Sequence, residues 1–217
     1  MATNSKELKL VRIGIGLLLA THVVLAAYII LLFSAPMLVS KVPGFATIYF
    51  WLLLYGSIIV LVVEVLTAVG QSLVLALPRE SRATGMALLA LACYAVAIIA
   101  TGLDYFIRIP QWLSTSTGAV SFLGMVLQVL WIRKAAMWRG RPDIASTAGS
   151  SLYYGAGSVV CWVVVATASR WLPVVGRQNE LAGIFLFSMP FLLLICVILG
   201  YMRFIRSLRL LQLALGA

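Results

Sequence analysis

The sequence predicts an all-α polytopic membrane protein, a six-transmembrane-helix bundle with both termini in the cytoplasm. Three observations predict it. The chain is 63% hydrophobic and only 10% charged, against about a quarter charged in soluble domains. Six apolar stretches each hold the roughly 20 residues needed to cross about 30 Å of hydrocarbon. The basic residues gather between those stretches, at alternate ends.

The elements follow in order. Helix 1 is expected over about Val11 to Phe33 and helix 2 over about Ala46 to Leu77. Helix 3 is expected over about Thr84 to Ile107, and helix 4 over about Thr117 to Trp138. Helix 5 is expected over about Ser151 to Leu172, and helix 6 over about Leu181 to Ile205. Helix 2 is too long for an upright span, so it should tilt or protrude towards Pro78. The spans and their short loops use up nearly all of residues 1–217, which predicts a single transmembrane domain.

Orientation follows from the Lys and Arg residues. One side carries Lys6, Lys9, Arg12, Arg79, Arg82, Arg133, Lys134, Arg139, Arg141, Arg203, Arg206 and Arg209. The other carries Lys41, Arg108, Arg170 and Arg177. Twelve of the sixteen basic residues therefore mark the cytoplasmic side. The loops at 78–83 and 139–150 are expected inside, and those at 34–45, 109–116 and 173–180 outside. Tyr49, Phe50, Trp51, Tyr105, Trp112 and Trp171 mark the outer interface; Trp131, Trp138, Tyr153, Tyr154 and Tyr201 mark the inner one. The run from Ile13 to Phe33 is long for a signal-peptide core, so helix 1 is expected to stay uncleaved.

Composition excludes several function classes. The net charge of +10 sits at helix ends, which fits a bilayer surface rather than nucleic acid. No HExxH, GxSxG, P-loop or dinucleotide-binding glycine pattern occurs. One histidine and six acidic residues leave little for haem, di-metal or paired-carboxylate chemistry, and no cofactor is expected. Cys93, Cys161 and Cys196 all lie in apolar stretches, without a CxxC, so no disulfide framework is expected.

Glu64 stands out as a candidate site residue, because a carboxylate inside an apolar span costs a few kcal/mol. It must face the bundle interior, find a partner or take up a proton. Ser57, Glu64, Thr67 and Gln71 share a helical face at spacings of seven, three and four. That stripe is either a proton- or ligand-binding surface or a hydrogen-bonded seam. His22 lies roughly 15 Å past Arg12, a depth at which it can meet Glu64. The plainer reading gives His22 a backbone carbonyl or a hydroxyl as partner. Gln128 shares a face with Gly118, Ser121 and Gly124, and can bond to Gln71 across the bundle.

Cys93 and Cys161 fall at a similar depth to His22 and Glu64. Together the four make a weak zinc or copper(I) layer. Packing explains the cysteines better, because each belongs to a stripe of small residues. Asp104 and Arg108 predict an interfacial salt bridge. The favoured function is a non-enzymatic membrane subunit or scaffold that packs with itself or with partners, or binds a small apolar ligand. The second reading is a proton-coupled transporter or channel using Glu64 and His22; the third is an intramembrane metal enzyme. The expected setting is a lipid bilayer, a bacterial cytoplasmic membrane in preference to an organelle membrane.

Overall fold

The computed structural model describes residues 5–39, 41, 42, 44–107, 111–168 and 180–216. Side-chain surroundings are described for these except at 5, 33, 35–38, 105, 111–115, 161–168 and 180–191. Arg108, Arg170, Trp171 and Arg177 lie outside the described residues, as do the side chains of Tyr105, Trp112 and Cys161.

Seven α-helices are described, and no strand occurs among the described residues. They are α1 Ser5–Val39, α2 Phe45–Leu54, α3 Gly56–Val74, α4 Thr84–Ile107, α5 Gln111–Trp138, α6 Pro142–Ala168 and α7 Glu180–Ala214. A short 3-10 helix, Arg79–Ser81, turns the chain between α3 and α4. Among the described residues four segments are long and apolar enough to cross a membrane: Lys6–Leu32, Gly56–Val74, Thr84–Asp104 and Ser116–Trp138.

Helix 2 is the first departure from expectation. The stretch at 46–77 is two helices, broken at Tyr55, where φ is −95° and ψ is 4°. Tyr28 of α1 lies against the break. Its hydroxyl fills the space a Cβ on Gly56 would need, and it donates to the Leu52 carbonyl at 3.4 Å. A side chain inserted beside a glycine is a known cause of a helix kink. The excess length is thus divided between two helices. Residues 46–54 of it lie in α2, which buries no side chain.

The second departure is the 139–150 loop, which shrinks to three residues because α6 starts at Pro142. The Arg141 N–H donates to the Ala136 carbonyl at 2.9 Å, and the Gly140 N–H to the Met137 carbonyl at 3.0 Å. With Gly140 left-handed at φ 67°, this is a Schellman ending. Pro142 then supplies a preset first helical residue. The Arg141 guanidinium grips Asp143 at 2.8 Å and holds its carboxyl down to about 2. Helices α1, α5 and α7 also run beyond their expected ends.

The helices pack in a ring. Each of α3 to α7 lies against its chain neighbour, α1 lies on α3, and α7 returns to α1. The Tyr201 hydroxyl donates to the His22 carbonyl at 2.6 Å, and Gln212 Nε2 to the Arg12 carbonyl at 3.3 Å, across the closing seam. Buried positions on α1 are Val11, Gly14, Ile15, Leu18, Thr21 and His22, one helical face. On α4 they are Ala87, Ala90, Tyr94 and Ala97, a mostly small-residue face. The opposite faces are apolar and exposed, as at Ile30, Ile99 and Val160. Apolar residues all round a helix are what a bilayer asks for.

The main core is concentrated at the basic end. Trp131, Ile132, Phe204, Leu208, Leu211, Ile15, Leu18 and Ile144 are fully buried there. Helices α1 and α3 come closest at two glycines. A Cβ on Gly14 would sit 2.6 Å from the Gly70 carbonyl oxygen, and one on Gly70 would sit 3.0 Å from the Gly14 carbonyl oxygen.

Gly70→Leu should therefore force α1 and α3 apart, lowering stability by about 1–3 kcal/mol. Gly102→Ala on α4 meets nothing within 4 Å and should stabilise by about 0.5–1 kcal/mol through helix propensity. Thermal unfolding in detergent reads both. The Asp143 contribution runs the other way with acid. Its lowered pKa means that stability is present above the ordinary carboxylate range and is lost as pH falls towards about 2. An NMR titration of the Asp143 carboxyl with a midpoint near 4 would contradict this.

Candidate functional site

Three polar residues of α3 face inward, and each finds partners on other helices. Thr67 donates to the Val63 carbonyl at 2.7 Å, and its hydroxyl oxygen lies 3.4 Å from that of Thr21 on α1. Gln71 is fully buried and donates through Nε2 to the Ala87 carbonyl of α4 at 3.0 Å. A carbonyl only accepts, so this bond fixes which end of the Gln71 amide is nitrogen. The other end of the amide, Gln71 Oε1, accepts from Gln128 Nε2 of α5 at 3.3 Å. Gln128 is thereby oriented too, and its Oε1 is buried without a hydrogen-bond partner.

Glu64 sits one layer further from the basic end. Thr101 of α4 donates to its Oε2 at 3.1 Å, and Ser121 of α5 to its Oε1 at 3.4 Å. Two hydroxyls thus hold one half-buried carboxyl group. Ser121 was visible in sequence as part of the α5 face with Gly118, Gly124 and Gln128. Thr101 had no such signal, because it sits among apolar residues on another helix.

Two cavities meet at Glu64. The first, of about 280 Å³, is central and draws on five helices. Its polar wall is His22, Glu64, Thr67, Tyr94, Ser121 and Tyr201. Leu25, Val60, Val63, Phe122 and Met125 complete it. The second, of about 240 Å³, lies on the other side of Glu64 among α3, α4 and α5. Thr101, Asp104, Thr117, Gly118 and Ser121 line it together with Val60 and Ala100. Glu64, Val60 and Ser121 belong to both.

His22 reaches Glu64 only through the shared central cavity. Its own bond runs from Nδ1 to the Leu18 carbonyl at 2.7 Å. That carbonyl requires a proton on Nδ1, so Nε2 of a neutral ring is an acceptor. Phe204 and Tyr201 pack on the ring at centroid distances of 4.9 and 6.1 Å. Ser57 is not brought to the site. It is exposed on α3, and Gly56 beside the kink is the buried residue at that level.

Cys93 is half-buried and packs its Cβ against Gly124, where α4 and α5 approach closely. Among the described residues no three metal-ligating side chains come together. Comparisons with protein-family models, with curated proteins and with solved structures give no match to this chain.

The amide chain predicts an asymmetry. Gln71→Leu removes two bonds and leaves the whole Gln128 amide unpartnered in a buried site, at a cost of about 1–3 kcal/mol. Gln128→Leu removes one bond and leaves only Gln71 Oε1 without a donor in place of its own unsatisfied oxygen, so it should cost less. Equal losses of thermal stability in the two variants would contradict the bonding order described.

Proposed function

We propose that this protein is a small multi-pass membrane protein that binds a small, mostly apolar molecule in the central cavity, with Glu64 as its polar anchor. The observation that carries the reading is the setting of Glu64. An acidic side chain held by two hydroxyls borders a cavity walled mainly by apolar and aromatic groups. Such concave, largely apolar sites with a few polar groups are typical of small-molecule binding. A dry cavity of about 150 Å³ accommodates one benzene ring, so about 280 Å³ suits a ligand of one to two rings. Tyr94 and Tyr201 add hydroxyls to the wall, and Phe122 and Met125 add adaptable apolar surface.

The membrane setting of this proposal has six crossings. Helices α6 and α7 join the four apolar spans, and both termini lie in the cytoplasm with the basic end of the bundle. The twelve-to-four division of basic residues supports that orientation. A bacterial cytoplasmic membrane is the proposed location. Self-association, or assembly with another membrane chain, is compatible with α2, which buries no side chain within the protein.

Two measurements test the proposal. In lipid nanodiscs, 2-phenylethanol and 2-phenylethylamine should each raise the melting temperature of the wild type, as any ligand selective for the folded state does. Phe122→Ala should weaken the shift by both probes. No shift with either probe would remove the binding reading. For topology, cysteines replacing Arg82 and Gly140 should label from the cytoplasmic side and a cysteine replacing Lys41 from the outside. Labelling of residue 140 from outside would invert the arrangement.

A further inference from the structure

We propose that Glu64 exchanges a proton for a cationic ligand, the proton leaving by the second cavity towards Asp104. This rests on the binding reading above and adds the charge of the ligand and its coupling to protons. The geometry that points to it is the position of one carboxyl group as the wall between two cavities of different character. On one side is the mainly apolar central cavity. On the other is a smaller one whose wall carries Asp104 and the hydroxyls of Thr101, Thr117 and Ser121. The two hydroxyls bonded to Glu64, Thr101 and Ser121, are themselves part of that second wall.

The other direction is shut. Beyond Thr67 the Gln71–Gln128 layer crosses the bundle, both residues fully buried. Below it stands the packed core of Trp131, Ile132, Phe204 and Leu208. A proton on Glu64 therefore has a polar wall on the side away from the basic end and a sealed layer on the other.

The step balances simply. The Glu64 carboxyl O–H breaks, and its proton passes to the hydroxyl-lined cavity and out to water. The primary ammonium of the ligand, entering the central cavity, donates its N–H groups to the resulting carboxylate. One positive charge enters as one leaves, so the apolar interior never holds an unpaired ion. The titratable groups facing Glu64 are His22 from α1, Tyr94 and Asp104 from α4 and Tyr201 from α7; α5 presents hydroxyls only.

The test uses the full chain in nanodiscs, with 2-phenylethylammonium and the neutral 2-phenylethanol as probes. Weakly buffered titration with a pH dye should record about one proton released per ammonium bound, and none with the alcohol. Ammonium affinity should rise about tenfold per pH unit where that release is complete. Glu64→Gln should abolish release and the pH dependence while still binding the alcohol, which shows that the variant is folded. Asp104→Asn and Thr117→Val should slow release in stopped flow. Binding of both probes without proton release overturns the exchange and leaves the binding site standing. Proton release that survives Glu64→Gln and disappears in His22→Gln assigns the exchange to the wrong group and overturns it as well. Failure of both probes to bind wild type removes the site itself.

Discussion

The structure depends on one constraint: a polar group placed in an apolar bundle must find its partner inside the protein. Helix α3 carries three such groups on one face, and each is answered from outside α3. Thr67 meets α1, Gln71 meets α4 and α5, and Glu64 meets α4 and α5. Apolar surfaces alone would let these helices slide or rotate at little cost, since lipid is as good a neighbour as leucine. The bonds remove that freedom. They set α3 as the reference against which α1, α4 and α5 take their rotation and height, and the Gly14–Gly70 contact then fixes how near α1 comes.

Packing is uneven along the bundle, and the candidate site lies where it loosens. Large side chains are fully buried at the basic end, while Glu64 borders two cavities. Tight packing gives a rigid base; room beside a carboxyl group gives chemistry somewhere to happen. The kink at Tyr55–Gly56 belongs to the same pattern. Beyond it α2 lies on α1 and α3 without burying a side chain, just above the level at which α3 begins to supply polar groups.

Much of this was legible in the residues. The long apolar stretches and the charges between them placed most of the helices, and Glu64, Thr67 and Gln71 were readable as inward-facing from their spacing. The bond between Gln71 and Gln128 was readable as feasible because both sit on faces rich in small or polar residues. Other features depended on partners remote in sequence. Thr101 is an isolated hydroxyl until α4 is placed beside Glu64. Ser57 shares the α3 face of Glu64 but lies exposed at the first turn of that helix, which its spacing alone does not show. Helix 2 read as continuous because nothing between residues 46 and 77 breaks a helix on its own. The α5–α6 turn is different: Gly140 and Pro142 are ordinary stop and start signals, overridden in the reading by the polarity of residues 143–150, which form the first turns of α6.

The ring order of the helices has a consequence for how the chain assembles. Apart from the α1–α7 seam and a lesser α5–α7 contact, the principal pairings join helices that follow one another closely in the chain. Contacts between near neighbours in sequence carry little loop-closure entropy and form fast. Each hairpin can therefore settle as it is synthesised, N-terminal parts first. Helix α7 is the exception. It must come back to α1 across nearly the whole chain, bringing Tyr201 to the His22 carbonyl and Gln212 to Arg12. Until that last strut is in place the central cavity lacks a wall, so a nascent chain stopped before residue 201 is a row of hairpins with no enclosed interior.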